Sequence, residues 1–128
     1  MAHRGPVSRW ELYWVDLDPK VGSEQGGESR PALVISNDGF NSQFTVVTVI
    51  PLTKLEDKRR KVYPFEVLLP KEIVGTGWES IAMPQQIRTI SKMRLLERIG
   101  VLADGNLQTA IENRLLEHLG IEFEAEEI

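Results

Sequence analysis

Residues 31–52, PALVISNDGFNSQFTVVTVIPL, decide the fold. Two runs in this stretch, Pro31–Asn37 and Phe44–Leu52, are rich in β-branched residues and apolar at successive positions, which is typical of strands buried on both faces. Between them, Asp38–Asn41 has the composition of a turn, and its neighbouring asparagines suit the same role. The stretch therefore predicts two central strands joined by a turn.

Further strand-like segments lie on both sides of this stretch. Each is a short run of apolar, aromatic or β-branched residues, bounded by glycine, proline or charged residues. These segments are Trp10–Leu17, Pro64–Leu69, Ser80–Met83, Gln85–Ile90 and Leu95–Leu102. The chain up to residue 102 is therefore predicted to be mainly β.

In the last predicted element the apolar residues recur at a different spacing. Between Asp104, a candidate N-cap, and Gly120, a candidate stop, apolar residues recur at spacings of three and four. This spacing predicts an amphipathic helix of about four turns that packs on the sheet. The predicted fold class is mainly β with a C-terminal α-helix.

Composition indicates one globular domain. The chain has 128 residues, of which 41% are hydrophobic and 27% charged. The net charge is −4, but the last seven residues carry four glutamates, and without these the basic and acidic residues balance at 15 each. We predict a single domain over 1–121 and an acidic tail over 122–128. A neutral body can still bind RNA where its positive groups are concentrated.

Several chemistries are excluded by what the sequence lacks. With no cysteine, disulfides, thiolate metal sites and cysteine nucleophiles are ruled out. His3 and His118 are the only histidines, and neither has metal-ligand spacing, so no metal or cofactor is expected. No phosphate-binding loop, dinucleotide fingerprint or nucleophile elbow occurs. No apolar run approaches roughly 20 residues and the N-terminus does not resemble a signal peptide, so we expect a cytoplasmic protein without a membrane partner.

A polar loop, GSEQGGESRP at residues 22–31, separates two strand-like runs. Its three glycines allow close approach to a ligand, and Pro31 fixes the backbone just after Arg30. Loops of this kind in small domains are more often functional than mere connections. The loop is therefore the first candidate for a functional site.

Several motifs occur in order over roughly residues 9–119. They are Trp14–Pro19 (WVDLDP), Gly22–Gly27 (GSEQGG), Arg30-Pro31, Val34–Asn37 (VISN), Pro51–Thr53 (PLT), Pro64–Val67 (PFEV) and Gln86–Ile90 (QIRTI). No single motif is diagnostic, but their combination across one domain is specific. In these motifs the chain resembles the MazF/PemK toxin family.

This resemblance implies an SH3-like β-barrel with an added helix that forms a homodimer. It implies a metal-independent endoribonuclease that cuts single-stranded RNA at short sequences and is inhibited by a cognate antitoxin. The family's catalytic arginine and threonine fall on Arg30 and Thr53, and a loop glutamate that matters in some members falls on Glu24.

The chemistry of these residue types fits such a reaction. RNA supplies its own nucleophile, the 2′-hydroxyl, so the enzyme must align it, stabilise negative charge and move protons. Arg30 can pair with phosphate oxygens, and Thr53 can hydrogen-bond the same phosphate or pass a proton. A guanidinium is a poor base, which leaves Glu24 as the titratable candidate. Glu24 could equally be a surface carboxylate that caps loop amides. The expected products are a 2′,3′-cyclic phosphate and a 5′-hydroxyl.

Other polar side chains are candidates for RNA contacts, because single-stranded RNA is read by hydrogen bonds to exposed base edges. These candidates are Ser23, Gln25, Gln85 and Gln86. Gln85 stands where some family members have an acidic residue, and it cannot titrate. Arg88 could contact a phosphate or form a structural ion pair.

Two further groups of residues have competing interpretations. The basic run Lys58–Lys61 could contact phosphates or an acidic antitoxin segment, although a solvated connector is the commoner case. Trp10, Tyr13 and Trp14 could stack on bases, but their strand context favours packing for most of them.

Two rival functions also remain open. The same fold occurs in gyrase-poisoning toxins related to CcdB, which cleave nothing, and the Arg30/Thr53 pair argues against that class. A non-catalytic SH3-like binding module, whose loop would be only a peptide groove, is the other rival.

Overall fold

The structure is a computed structural model that describes residues 2–55 and 60–123. Its elements follow the predicted order of strands first and a long helix last. In chain order they are β1 (Glu11–Val15), β2 (Arg30–Val34), α1 (Asp38–Gln43), β3 (Val46–Lys54), β4 (Val67–Leu69), α2 (Lys71–Val74), β5 (Ser80–Ala82), β6 (Arg88–Ser91), β7 (Leu95–Val101) and α3 (Gly105–His118). Short 3₁₀ turns at Pro84–Gln86 and Lys92–Arg94 flank β6.

The strands form one antiparallel sheet in the order β4-β5-β3-β2-β1-β7, with β6 also paired to β3. The long strand β3 joins the two parts of this sheet. Residues 46–51 of β3 pair with β6 and β2, whereas residues 52–54 pair with β5. The predicted class, mainly β with a C-terminal helix, is confirmed. The central position predicted for β2 and β3 is also confirmed.

Side chains of the sheet are buried on both of its faces, because successive residues of a strand point to opposite sides. Leu12 and Leu33 belong to one apolar cluster, which α3 joins through the fully buried Ile111. Tyr13 and Ala32 belong to a second cluster. Tyr13 is completely buried, so packing rather than base stacking is the right interpretation for it.

Helix α3 begins and ends as the sequence predicts. The Asp104 side chain accepts a hydrogen bond from the backbone N–H of Leu107 at 3.0 Å, which is an N-cap. Gly120 lies just past the helix with φ +69°, a conformation that favours glycine. No helix in the described ranges is long and apolar enough to span a membrane.

The turn predicted over Asp38–Asn41 is wrong, because the chain forms helix α1 there. Asn37 caps this helix by accepting a hydrogen bond from the Phe40 N–H at 2.8 Å. Asn41 is buried and donates to the Ser36 carbonyl at 2.8 Å, which ties the helix to the end of β2. Asparagines that suggest a turn thus serve as a cap and an anchor, and local composition does not separate these roles.

The predicted division into a domain over 1–121 and a tail over 122–128 stays a prediction. Residues 124–128 lie outside the described residues, as does part of the basic run, Lys58 and Arg59.

Candidate functional site

The glycine-rich loop is fixed at its base by the end of β1. The Leu17 N–H donates to the Gly27 carbonyl at 2.8 Å, and the Gly27 N–H donates to Asp18 Oδ1 at 2.7 Å. Arg94 supports the same segment, since its Nη1 donates to the Asp16 carbonyl at 3.0 Å. The second half of the loop is therefore rigidly attached to the sheet.

Arg30 is held at this rigid base. It is half-buried at the start of β2, and its Nε donates to the Gly26 carbonyl at 2.8 Å. The Gln25 amide, oriented to satisfy its hydrogen bonds, places its oxygen 3.1 Å from Arg30 Nε and 3.2 Å from both Nη atoms. Two contacts from the loop thus fix the direction of the guanidinium.

Thr53 and Arg30 lie near the ends of two paired strands. β2 and β3 pair with Ala32 opposite Pro51, and Arg30 precedes this pair by two residues in β2 while Thr53 follows it by two residues in β3. Thr53 is half-buried and is held in place by pairing with Ile81 of β5. A guanidinium and a hydroxyl are groups suited to bind a phosphate diester.

Gln86 joins the loop to the 3₁₀ turn at Pro84–Gln86. Its Oε1 accepts from the Gln25 N–H at 3.2 Å, and its Nε2 donates to the Ser23 carbonyl at 3.4 Å. The structure therefore brings together four of the predicted residues, Ser23, Gln25, Gln86 and Arg30, along one connected set of hydrogen bonds.

Gln85 is directed toward a buried carboxylate instead. Its Nε2 donates to Glu66 Oε2 at 2.8 Å. Arg60 binds the same carboxylate through both Nη atoms, at 2.8 and 3.2 Å, and the Tyr63 N–H donates at 3.2 Å. The side chain of Glu66 is only 1% exposed. Because all four contacts come from donors, the Gln85 amide must turn its nitrogen toward Glu66.

Burial raises the pKa of Glu66, but the hydrogen bonds from Arg60, Gln85 and the Tyr63 N–H outweigh burial and hold that pKa below its ordinary value. The sequence analysis quoted Glu66 only as part of a motif and assigned it no role. A glutamate inside the apolar run at 64–69 was the available signal, since unpaired charges are rarely buried.

The tip of the loop is exposed and carries Glu24. Glu24 Oε1 accepts a hydrogen bond from the Val21 N–H at 2.8 Å. This contact is the one expected of a carboxylate that caps loop amides. Ser23 is also exposed at the tip, so both side chains are accessible to a ligand.

Arg88 lies in β6, next to the 3₁₀ turn, and is half-buried. Its Nη1 is enclosed without a hydrogen-bond partner in the described part of the chain. The ion pair considered from sequence is therefore not seen among the described residues.

Comparisons with known proteins agree on one family. The model of the PemK-like, MazF-like toxins of type II toxin–antitoxin systems matches residues 8–119. The chain is 40% identical over 120 residues to endoribonuclease MazF9 of Mycobacterium tuberculosis, covering 90% of this chain and 98% of that one. It is 38% identical over 98 residues to endoribonuclease EndoA of Bacillus subtilis, covering 77% and 82%. Crystalline MazF from Deinococcus radiodurans superposes with a TM-score of 0.77 at 28% identity, covering 92% and 100%.

Proposed function

Because the chain belongs to the family of PemK-like, MazF-like toxins of type II toxin–antitoxin systems, we propose that it is an endoribonuclease that cuts single-stranded RNA at short sequences. The observation that carries this proposal is the placement of Arg30. Its guanidinium is fixed at the loop base by the Gly26 carbonyl, at the start of the strand that pairs with the strand carrying Thr53. We further propose that the protein acts in the cytoplasm as a homodimer and is neutralised by a cognate antitoxin.

In the proposed reaction the 2′-oxygen of RNA attacks the adjacent phosphorus and the bond to the 5′-oxygen breaks. Arg30 stabilises the negative charge that grows on the phosphate oxygens. Thr53 hydrogen-bonds the same phosphate and keeps it in line. A base takes the 2′-hydroxyl proton, and the departing 5′-oxygen gains a proton. The products are a 2′,3′-cyclic phosphate and a 5′-hydroxyl, so the reaction needs neither a metal nor a cofactor.

Sequence selection is proposed to come from the loop and the 3₁₀ turn. Ser23, Gln25 and Gln86 are the polar side chains proposed to bond to base edges, and Arg88 is proposed to contact the backbone of the RNA. Gln85, which the sequence also made a base reader, is bound to Glu66 instead. The Gln86 bridge supports this assignment, since it holds loop and turn in one arrangement.

The direct test is to incubate the purified protein with a long RNA in EDTA and map the ends. We expect discrete cuts with the products named above, and loss of cutting when Thr53→Ala is tested. Intact RNA after incubation with a folded dimer would contradict the nuclease. Growth arrest with gyrase-dependent DNA breaks would instead indicate the CcdB-like class.

Gly27 is predicted to be required for stability and for cleavage, because it lies close to the Arg30 side chain. It has φ +129°, and a Cβ at this position would lie 2.7 Å from Arg30 Nε. Gly27→Ala should lower the free energy of unfolding by about 1–3 kcal/mol and also slow cleavage by the folded protein. Gly22→Ala is the matched control, because Gly22 has φ +58° but no atom within 4 Å of its Cβ position. Equal cleavage rates for the two folded variants would contradict the prediction.

The effect of Glu24 on the cleavage rate is predicted to be separable from any effect on RNA affinity. If it takes the 2′-hydroxyl proton, Glu24→Gln should slow cleavage and change the pH–rate profile, while RNA affinity stays nearly constant. If it serves only the Val21 amide, glutamine still offers an oxygen and the profile stays the same. Single-turnover rates across pH, measured beside RNA affinity, distinguish the two roles.

A further inference from the structure

Two aromatic rings stand exposed just before β4. The rings of Tyr63 and Phe65 are 5.2 Å apart between centroids and lie within 2° of parallel. Tyr63 is 44% exposed and Phe65 is 43% exposed. Covering these two rings with a flat apolar ligand would be favourable, because aromatic side chains gain free energy when they are buried and stacked. Pro64 between them restricts the backbone, so the pair is arranged before any ligand binds.

Positive charge lies close to these rings. Lys61 Nζ is 5.5 Å from the centroid of the Tyr63 ring, and Arg60 Cζ is 5.8 Å from it. Arg60 is fixed in place by its paired contacts with the buried Glu66. Aromatic faces flanked by cations are the combination with which proteins bind single-stranded nucleic acid, because bases stack and phosphates are neutralised.

The ring pair is also connected to the candidate site. Glu66 follows Phe65 in the chain and accepts a hydrogen bond from Gln85. Gln85 and Gln86 share the 3₁₀ turn, and Gln86 binds the loop that carries Arg30. The rings therefore lie at the side of the site where the 3₁₀ turn is, since Phe65 precedes Glu66 directly and the Tyr63 N–H donates to the Glu66 carboxylate.

We propose that Tyr63 and Phe65 form a stacking platform for bases of single-stranded RNA that lie outside the cut position. The proposal rests on the proposed function, because it gives that site a longer binding track. An RNA strand satisfies both features of the surface, since it brings flat bases to the rings and phosphates to Lys61. The platform binds but takes no part in the bond change.

Two RNAs test this proposal, each with 2′-O-methyl groups so that it binds without being cut. One has roughly 20 nucleotides, longer than a ~4–16-nucleotide binding site, and the other is trimmed to the cut motif. If no cut is found, the long RNA has a mixed sequence.

The double variant Tyr63→Ala/Phe65→Ala should bind the long RNA about tenfold more weakly and the trimmed RNA equally well. With a cleavable long RNA, KM should rise and kcat should stay constant. Tyr63→Trp should keep the affinity.

Phe44→Ala is the matched control. Phe44 is 54% exposed and stacks on Phe40 at 4.9 Å, but the pair lies at the end of α1. Its loss should leave long-RNA affinity unchanged. Wild-type affinity of the double variant for the long RNA would overturn the platform, and so would a loss confined to dimerisation or antitoxin binding. Failure of the wild-type protein to cut any RNA would refute the proposed function separately, because the binding comparison is made without cleavage.

Discussion

Arg30→Ala is expected to slow RNA cleavage by about 10²–10³-fold, the usual cost of removing one fixed donor that stabilises transition-state charge. The size of this effect follows from how Arg30 is held. Its Nε is engaged by the Gly26 carbonyl at 2.8 Å, so the guanidinium is oriented before RNA arrives. Arg30→Lys should recover only part of the rate, because an ammonium keeps the charge but lacks the planar fork.

Single-turnover cleavage of one mapped site measures this effect without interference from product release. Arg114→Ala is the control, because Arg114 pairs with Glu117 on the exposed part of α3. It should cleave at the wild-type rate. Thermal unfolding of each variant shows whether the fold is kept. A folded Arg30→Ala protein that cleaves at the wild-type rate would remove Arg30 from the chemistry.

Glu66→Gln is expected to lower the free energy of unfolding by about 3 kcal/mol, the lower end of the range for breaking a buried ion pair. The carboxylate receives donors on both oxygens, from Arg60, Gln85 and the Tyr63 N–H. A glutamine would point its own NH₂ group at donors and leave the Arg60 charge without its partner. Denaturant unfolding at neutral pH measures the loss.

The same residue predicts a response to acid. Because hydrogen bonds hold the folded-state pKa of Glu66 below its ordinary value of 4.5, its contribution is fully present above that pH and is lost as pH falls through the folded-state pKa. Glu66→Gln should therefore lose less stability on acidification than the wild type. Glu97→Gln, at an exposed position of β7, is the control and should follow the wild-type acid curve. Parallel curves for wild type and Glu66→Gln would contradict the prediction.

The sequence predicted most of the sheet because the buried strands carry their signal locally. Continuous apolar runs identified β2 and β3, and capping residues identified the bounds of α3. The helix α1 was missed because its evidence is not local. Asn41 is buried through its bonds to Ser36, and a turn and a helix start use the same polar residues.

The candidate site could also be predicted only in part from the sequence. Sequence motifs singled out Arg30 and Thr53, and the structure places them on the paired strands β2 and β3. The role of Glu66 could not be predicted, because its partners Arg60 and Gln85 lie 6 and 19 residues away along the chain. Whether Gln85 faces a carboxylate or a ligand depends on that long-range contact. The catalytic and RNA-binding assignments themselves stay predictions until the variants are measured.

The attachment of Gln86 to the loop backbone has a consequence for how such a protein can diverge. Its contacts go to the Gln25 N–H and the Ser23 carbonyl, which are present whatever side chains those positions carry. New side chains at Ser23 can therefore be tried without releasing the loop, whereas Gln25 also contacts the Arg30 guanidinium. Evolution could thus change the cut motif through Ser23 while keeping the cleavage chemistry, and a library randomised at Ser23 should yield active enzymes with altered motifs.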